Sequence, residues 1–234
     1  ITLLNCFSKI LERLMHTRLY NYLNHYKLLY MYQYGFRVKH STILALIDLT
    51  DGIKNLMDEG NFVAGLYLDL KKAFDTVDHS ILLRKLEYYG IRGTVNNWFQ
   101  SYLNGREQYT QLNKSKSSVK VTSCGVPQGS VLGPLLFLIY VNDVSEAIAE
   151  GKIMLFADDT NVFVHHKKLA TLFDKLKVTI EKLKEWFWAN KLSLSLEKTQ
   201  FSIFHTKKQI VSSEYDVIKF DNFNIKRVKT VKYL

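Results

Sequence analysis

Two apolar, strand-like runs, KIMLF (152–156) and NVFV (161–164), are separated by only four residues, and two of those are the adjacent acids Asp158 and Asp159. Short runs of this kind across so tight a link read as a β-hairpin. A buried carboxylate costs several kcal/mol unless something compensates it. The pair therefore belongs at the edge of a sheet, with a counter-charge. A third strand is legible upstream. NFVAGLYLDL (61–70) is a near-continuous run of strand formers, as in strands buried on both faces, and it ends on another acid, Asp69.

Set in order, the middle of the chain reads strand (62–70), helix (79–89), strand (153–157), strand (161–165), helix (170–189), strand (199–205). This is the split β-α-β-β-α-β order of ferredoxin-like sheets. In it the first and second strands run parallel, and the third lies between them, antiparallel to both. The end of the first strand then shares an edge with the turn joining the second and third. Asp69, Asp158 and Asp159 should meet there, although they are far apart in sequence.

The remaining elements are mostly helical. Leu3, Phe7, Ile10, Leu11 and Leu14 follow helical spacing and predict a helix over about 5–25. Ser41 caps a second helix with Leu46, Leu49, Ile53 and Leu56 on one face. Asp78 caps a third, which Gly90 stops. VNNWFQSYL forms a fourth. EQYTQL and SVKVTS flank a polar turn and predict a hairpin, and a long helix is expected over about 131–149. Leu172, Leu176, Ile180, Leu183 and Phe187 mark the inner face of the last helix. From about 208 onward, basic and apolar residues alternate.

Composition narrows the function classes. Lys and Arg number 32 against 22 Asp and Glu, a net charge of +10. Such an excess favours a polyanionic partner, nucleic acid before a membrane surface, since no strongly basic amphipathic helix stands out. A basic soluble protein without a polyanionic partner stays open on charge alone. Hydrophobic residues make up 47% and only two prolines occur, which argues for a packed core rather than disorder. Cys6 and Cys124 lack both metal-type spacing and a disulfide framework, which fits an intracellular setting. No signal peptide opens the chain, and the longest apolar run, VLGPLLFLIYV (131–141), is too short to span a bilayer. The chain opens on Ile1 and stops inside KTVKYL, a strand-like pattern, and so reads as a piece of a longer protein.

Three convergent carboxylates repel one another and call for a cation. Only oxygen donors converge, which favours Mg²⁺ over Zn²⁺. Two such ions about 3.5–4 Å apart would activate a 3′-hydroxyl and stabilise a leaving pyrophosphate. The bland alternative is that the acid pair simply makes a polar turn.

Four blocks in order, LYLDLKKAFDTVDH (66–79), GVPQGSVLGPLLFLIYVNDV (125–144), FADDT (156–160) and NKLSLSLEKTQ (190–200), together resemble the reverse transcriptase domain of non-LTR (LINE-type) retrotransposons. YGFRVKHST (34–42) matches a further block of the fingers region. The resemblance implies an α+β, right-hand polymerase fold with residues 1–60 as partial fingers. Residues 61–234 would be a ferredoxin-like palm with inserted fingers elements, ending before the thumb. It implies RNA-directed DNA polymerase activity on an RNA template and a DNA primer, with deoxynucleoside triphosphates as substrates. Two Mg²⁺ ions, replaceable by Mn²⁺, would be held by Asp69, Asp158 and Asp159, the last less directly. Phe74 would occupy the sugar-gate position, and Leu70, Gln128 and Gly129 would lie against the incoming nucleotide. Lys198 would neutralise or protonate the departing pyrophosphate. Arg37, Lys9 and Arg13 would reach the triphosphate from the fingers. The resemblance further implies a larger retrotransposon polyprotein with an endonuclease and a thumb, working as a ribonucleoprotein in nucleus and cytoplasm. Two rivals remain: a group II intron-type maturase, which usually carries Tyr where this chain has Phe156, and a truncated relic that only binds nucleic acid.

Overall fold

The structure, a computed structural model, describes residues 4–220 and 223–231. Leu3 of the expected helix face and the last residues of KTVKYL lie outside them. The described residues form two compact units. One takes in the residues up to Leu29 together with Lys72–Asn142; the other takes in Tyr30–Lys71 and the residues from Asp143 on.

The first unit is helical. It holds α1 (Cys6–His25), α3 (His79–Tyr88), α4 (Gly93–Leu103) and α5 (Gly133–Val141), while α2 (Thr42–Asp58) belongs to the other unit. The Asp78 side chain accepts from Ile81 N at 3.0 Å, the expected cap of α3. α5 is apolar on every side and correspondingly buried on every side, with Leu135 through Tyr140 almost inaccessible. It is shorter than the sequence predicts. From Asn142 the chain tightens into a 3₁₀ turn reaching Ala147. The Asn142 side chain, which donates to Leu28 O at 2.8 Å and to the Tyr89 hydroxyl at 2.9 Å, fixes the exit. Between α4 and α5 lies an exposed ribbon of four two-residue strands, β2 (Glu107–Gln108), β3 (Gln111–Leu112), β4 (Ser115–Lys116) and β5 (Lys120–Val121), with its tight turn at Asn113–Lys114.

α1 differs from expectation in its buried face. Phe7, Ile10, Leu11 and Leu14 are exposed, whereas Leu19, Tyr20, Leu23 and the acid Glu12 are buried. The apolar spacing at the start of α1 marks its outer side.

The second unit is a six-stranded sheet with helices. Its strands are β1 (Phe62–Leu68), β6 (Lys152–Phe156), β7 (Asp159–His166), β8 (Gln200–Phe204), β9 (Val217–Phe220) and β10 (Phe223–Arg227), in the spatial order β6-β7-β1-β8-β10-β9. β7 lies between β1 and β6, antiparallel to both, and β8 pairs antiparallel on the far side of β1, as the split β-α-β-β-α-β order requires. β1 is buried along its whole length. α2 (Thr42–Asp58), capped by Ser41 as expected, sets Ala45 and Leu49 against Tyr67, Met154 and Phe163. Leu46, expected on that inner face, is exposed. α6 (Leu169–Ala189) buries all five residues of its predicted face, and its Phe173 meets Phe201 edge-on. The basic and apolar tail contributes β9 and β10, the latter parallel to β8. Among the described residues no helix is long and apolar enough to cross a membrane.

Candidate active site

The site in the second unit starts from β1. The register pairs Leu68 with Thr160, so the next residues, Asp69 and Asp159, follow side by side at the same end of the sheet. β6 and β7 pair as far as Phe156 with Asp159, leaving a two-residue turn, Ala157–Asp158. All three acids thus reach one edge from two separate stretches of chain. Asp159 registers this: partial burial first, then the charges of Asp158 and Asp69, push its carboxyl above the ordinary range, while Lys198 opposes them.

The segment after α6 folds back along Asp69. Ser195 N donates to Asp69 O and Lys71 N to Ser193 O, each at 2.8 Å, and Leu70, which is buried, pairs with Leu194. This brings the Lys198 ammonium to 3.1 Å from Asp69 Oδ2. A cation already faces the acids, and it is the chain's own.

The donor set suits a hard divalent ion: oxygen ligands only, mutually repelling, reachable by solvent. Among the described residues, though, no three acidic, histidine or cysteine side chains are gathered closely enough to form a ready-made metal cage. Asp69 is turned toward Lys198 instead.

The turn is held by another segment of the second unit. Residues 32–34 run along the outer edge of β6: Leu155 N donates to Tyr32 O at 2.9 Å and Tyr34 N to Leu155 O at 2.8 Å. Gln33 is buried between them, and its Oε1 accepts from Gly35 N at 2.8 Å and from Ala157 N at 3.2 Å. Arg37 has its Nη1 on the carbonyls of Tyr30, at 2.8 Å, and Gln33, at 3.4 Å, so the structure ties its guanidinium to this same loop.

The first unit carries the other predicted residues. Phe74 sits in a short 3₁₀ turn, half-buried, and stacks on Phe137 with ring centroids 4.5 Å apart. The segment leading to Gln128 is stitched onto that turn: Val126 N donates to Phe74 O at 2.8 Å and Gly125 N to Val77 O at 2.7 Å. Gln128 Nε2 donates to Asp75 Oδ1 at 3.0 Å, which gives Asp75 a definite task. Gly129, exposed, has φ +91°, a backbone state that favours glycine. Lys9 and Arg13 lie on the exposed side of α1. Between them Glu12 points inward. Its carboxylate accepts from Val131 N at 2.7 Å, from Leu132 N at 3.5 Å and from the Tyr102 hydroxyl at 2.9 Å, just before α5 begins. Burial, followed by the Glu12 charge, raises the Tyr102 phenol.

Glu12 and Gln33 escaped sequence reasoning. The available signals were an acid inside an otherwise amphipathic helix and a glutamine two residues before a glycine.

An α+β chain that carries acids from the end of β1 and from the β6–β7 turn to one edge of a split β-α-β-β-α-β sheet has the palm of a right-hand polymerase. Its solved neighbours share that fold: apo telomerase from Candida tropicalis superposes with a TM-score of 0.62 at 13% identity, over 92% of this chain and 39% of that one. The same organism's telomerase with a fragment of telomeric RNA gives 0.61, over 91% and 35%. The chain belongs to the reverse transcriptase (RNA-dependent DNA polymerase) family, whose profile matches residues 1–234. Relatives include the probable RNA-directed DNA polymerase from transposon X-element of Drosophila melanogaster, 30% identical over 89% of this chain. The RNA-directed DNA polymerase from mobile element jockey of the same fly is 31% identical over 79%. The retrotransposon resemblance is borne out. The chain spans 23% and 21% of these two relatives' lengths.

Proposed function

We propose that this chain is the polymerase core of a non-LTR retrotransposon reverse transcriptase, extending a DNA 3′-hydroxyl with deoxynucleotides on an RNA template. The observation that carries it is the shared edge of Asp69 and the Asp158–Asp159 turn, with the raised Asp159 acid as its electrostatic trace.

In this reading Asp69 and Asp158 would hold divalent cations, Mg²⁺ or Mn²⁺, with Asp159 supporting them less directly. Bound there, the ions would supply Lewis-acid polarisation of a hydroxyl and neutralisation of phosphate charge. The chain's own residues do the positioning, which is most of what phosphoryl transfer asks of a protein. Lys198 places an ammonium at the Asp69 carboxylate, within reach of departing charge. Phe74, braced by Phe137, bars a 2′-hydroxyl. Gln128, tethered by Asp75, and the permissive backbone at Gly129 line the nucleotide and template side, with Leu70 behind Asp69. Lys9 and Arg13 attract the triphosphate by charge; Arg37 shapes its loop instead. The relatives are longer than this chain, and an endonuclease, a thumb and a ribonucleoprotein setting in nucleus and cytoplasm belong to the same proposal.

The test is primer extension on a primed homopolymer RNA with Mg²⁺. Wild-type extension should fall at least about a hundredfold in Asp158→Ala, because metal ligands supply several kcal/mol of transition-state stabilisation. Salt-sensitive RNA binding by the wild type with no extension at all would support a relic that only binds.

A further inference from the structure

The turn carrying Asp158 has an unsuitable sequence for its shape. A two-residue hairpin link in which only the first residue has positive φ favours glycine at that position. Here the first position is Ala157, with φ +56°, where an L-residue with a Cβ is strained. Nothing local in Ala157–Asp158 favours that conformation, so it must be imposed from outside.

The imposing group is the Gln33 side chain. Gln33 is 2% exposed, and its side chain meets two main-chain N–H donors, of Gly35 and of Ala157 itself. Since both partners donate, the atom facing them must be the amide oxygen. The main-chain bonds of Tyr32 and Tyr34 to Leu155 hold Gln33 in register with β6. Gly35 completes the contact by absence: a Cβ there would lie 2.2 Å from Ala157 N and 3.0 Å from its Cα. No side chain fits at position 35 while the turn stays where it is.

We propose that Gln33 and Gly35 are positioning residues for nucleotide transfer: Gln33 clamps the Ala157 N–H so that the left-handed turn presents Asp158 at the acid edge. They touch neither nucleotide nor cation in this scheme; they act through the backbone of the turn. The sequence block around YGFR thereby gains a role apart from any triphosphate contact by Arg37. The inference rests on the polymerase reading, because it assigns the turn a catalytic task.

The test uses the full chain and two variants. Gln33→Met keeps the volume and removes the strong acceptor; Gln33→Glu keeps an accepting oxygen. Amide hydrogen exchange is read at Ala157, and extension is read as kcat and as KM for the deoxynucleotide. In Gln33→Met the Ala157 amide should exchange about tenfold faster, since one net hydrogen bond is at stake. Its kcat should drop about 10–100-fold, the usual result of a small misplacement, with KM within about twofold. In Gln33→Glu the Ala157 amide should stay slow. Equal exchange in both variants, or a Met variant whose kcat falls only as far as its folded fraction does, overturns the clamp. If the wild type itself fails to extend, the polymerase reading falls, and the exchange comparison alone decides the clamp.

Discussion

Asp159 stands under two opposing demands. The proposed reaction calls for a carboxylate at the edge; partial burial and the charges of Asp158 and Asp69 oppose its ionisation there. An acid whose folded pKa lies above its unfolded value contributes full stability below the unfolded value, about pH 4, and loses it as pH rises through the folded one. At neutral pH the ionised Asp159, pressed by burial, Asp158 and Asp69, therefore weakens the metal-free chain. Asp159→Asn should raise the melting temperature in chelator at pH 7. The gain should be on the order of 1–2 °C, since a full kcal/mol moves a domain this size by about 2–4 °C and a solvent-accessible acid carries only part of that. The gain should vanish below about pH 4, and extension should be lost. Lys198 is the matching cation. With its ammonium 3.1 Å from Asp69, Lys198→Met removes a competitor for that carboxylate. The Mg²⁺ concentration for half-maximal extension should fall while kcat drops about 10–100-fold, as for a lost proton donor or charge partner. Phe74 offers a readout that neither acid shares. Truncated to valine, it should admit the 2′-hydroxyl and raise ribonucleotide over deoxynucleotide incorporation at least about tenfold; an unchanged ratio would remove it from that role.

At the scale of elements, Glu12 shows how one acid can anchor the first half of a helix whose second half is held by Leu19, Tyr20 and Leu23. A buried carboxylate is tolerated only when hydrogen-bonded, and Glu12 has two N–H groups ahead of α5 and one hydroxyl. Glu12→Ala leaves those donors unmatched and should cost about 1–3 kcal/mol, read as a lower urea midpoint with an unchanged slope. Glu12 also explains why the face of α1 could not be taken from its pattern. Apolar spacing reports that a helix is amphipathic; it cannot report that the covered side is anchored through an acid while Phe7, Ile10 and Leu11 stay outside. Where burial follows from one element's own period, as in α6 and β1, the sequence suffices. Where a distant partner sets the limit, as Leu28 O and Tyr89 do for the end of α5, it does not. The acids at the edge were legible because strand order alone forces Asp69 toward the β6–β7 turn. Gln33 and Glu12 were not, because each acts through hydrogen bonds to distant main-chain groups that leave no period behind.

For the whole molecule the governing quantity is the net charge of +10. A polyanion bound by such a chain releases counterions, so affinity should fall with salt in proportion to the phosphates contacted. On single-stranded RNA each contact contributes about −0.7 to the log–log slope, so three contacts alone would weaken binding roughly twentyfold between about 50 and about 200 mM salt. A polymerase core should track its template at least that steeply. Removing an acid at the edge takes away negative charge but no cationic contact, so Asp158→Ala should bind the same RNA at least as tightly and with the same slope while failing to extend. Binding and chemistry would then be carried by opposite charges on one chain: the dispersed lysines and arginines hold the strand, and three carboxylates at the end of a sheet act on it. A flat salt response in the wild type would mean that the excess of cations serves something other than nucleic acid.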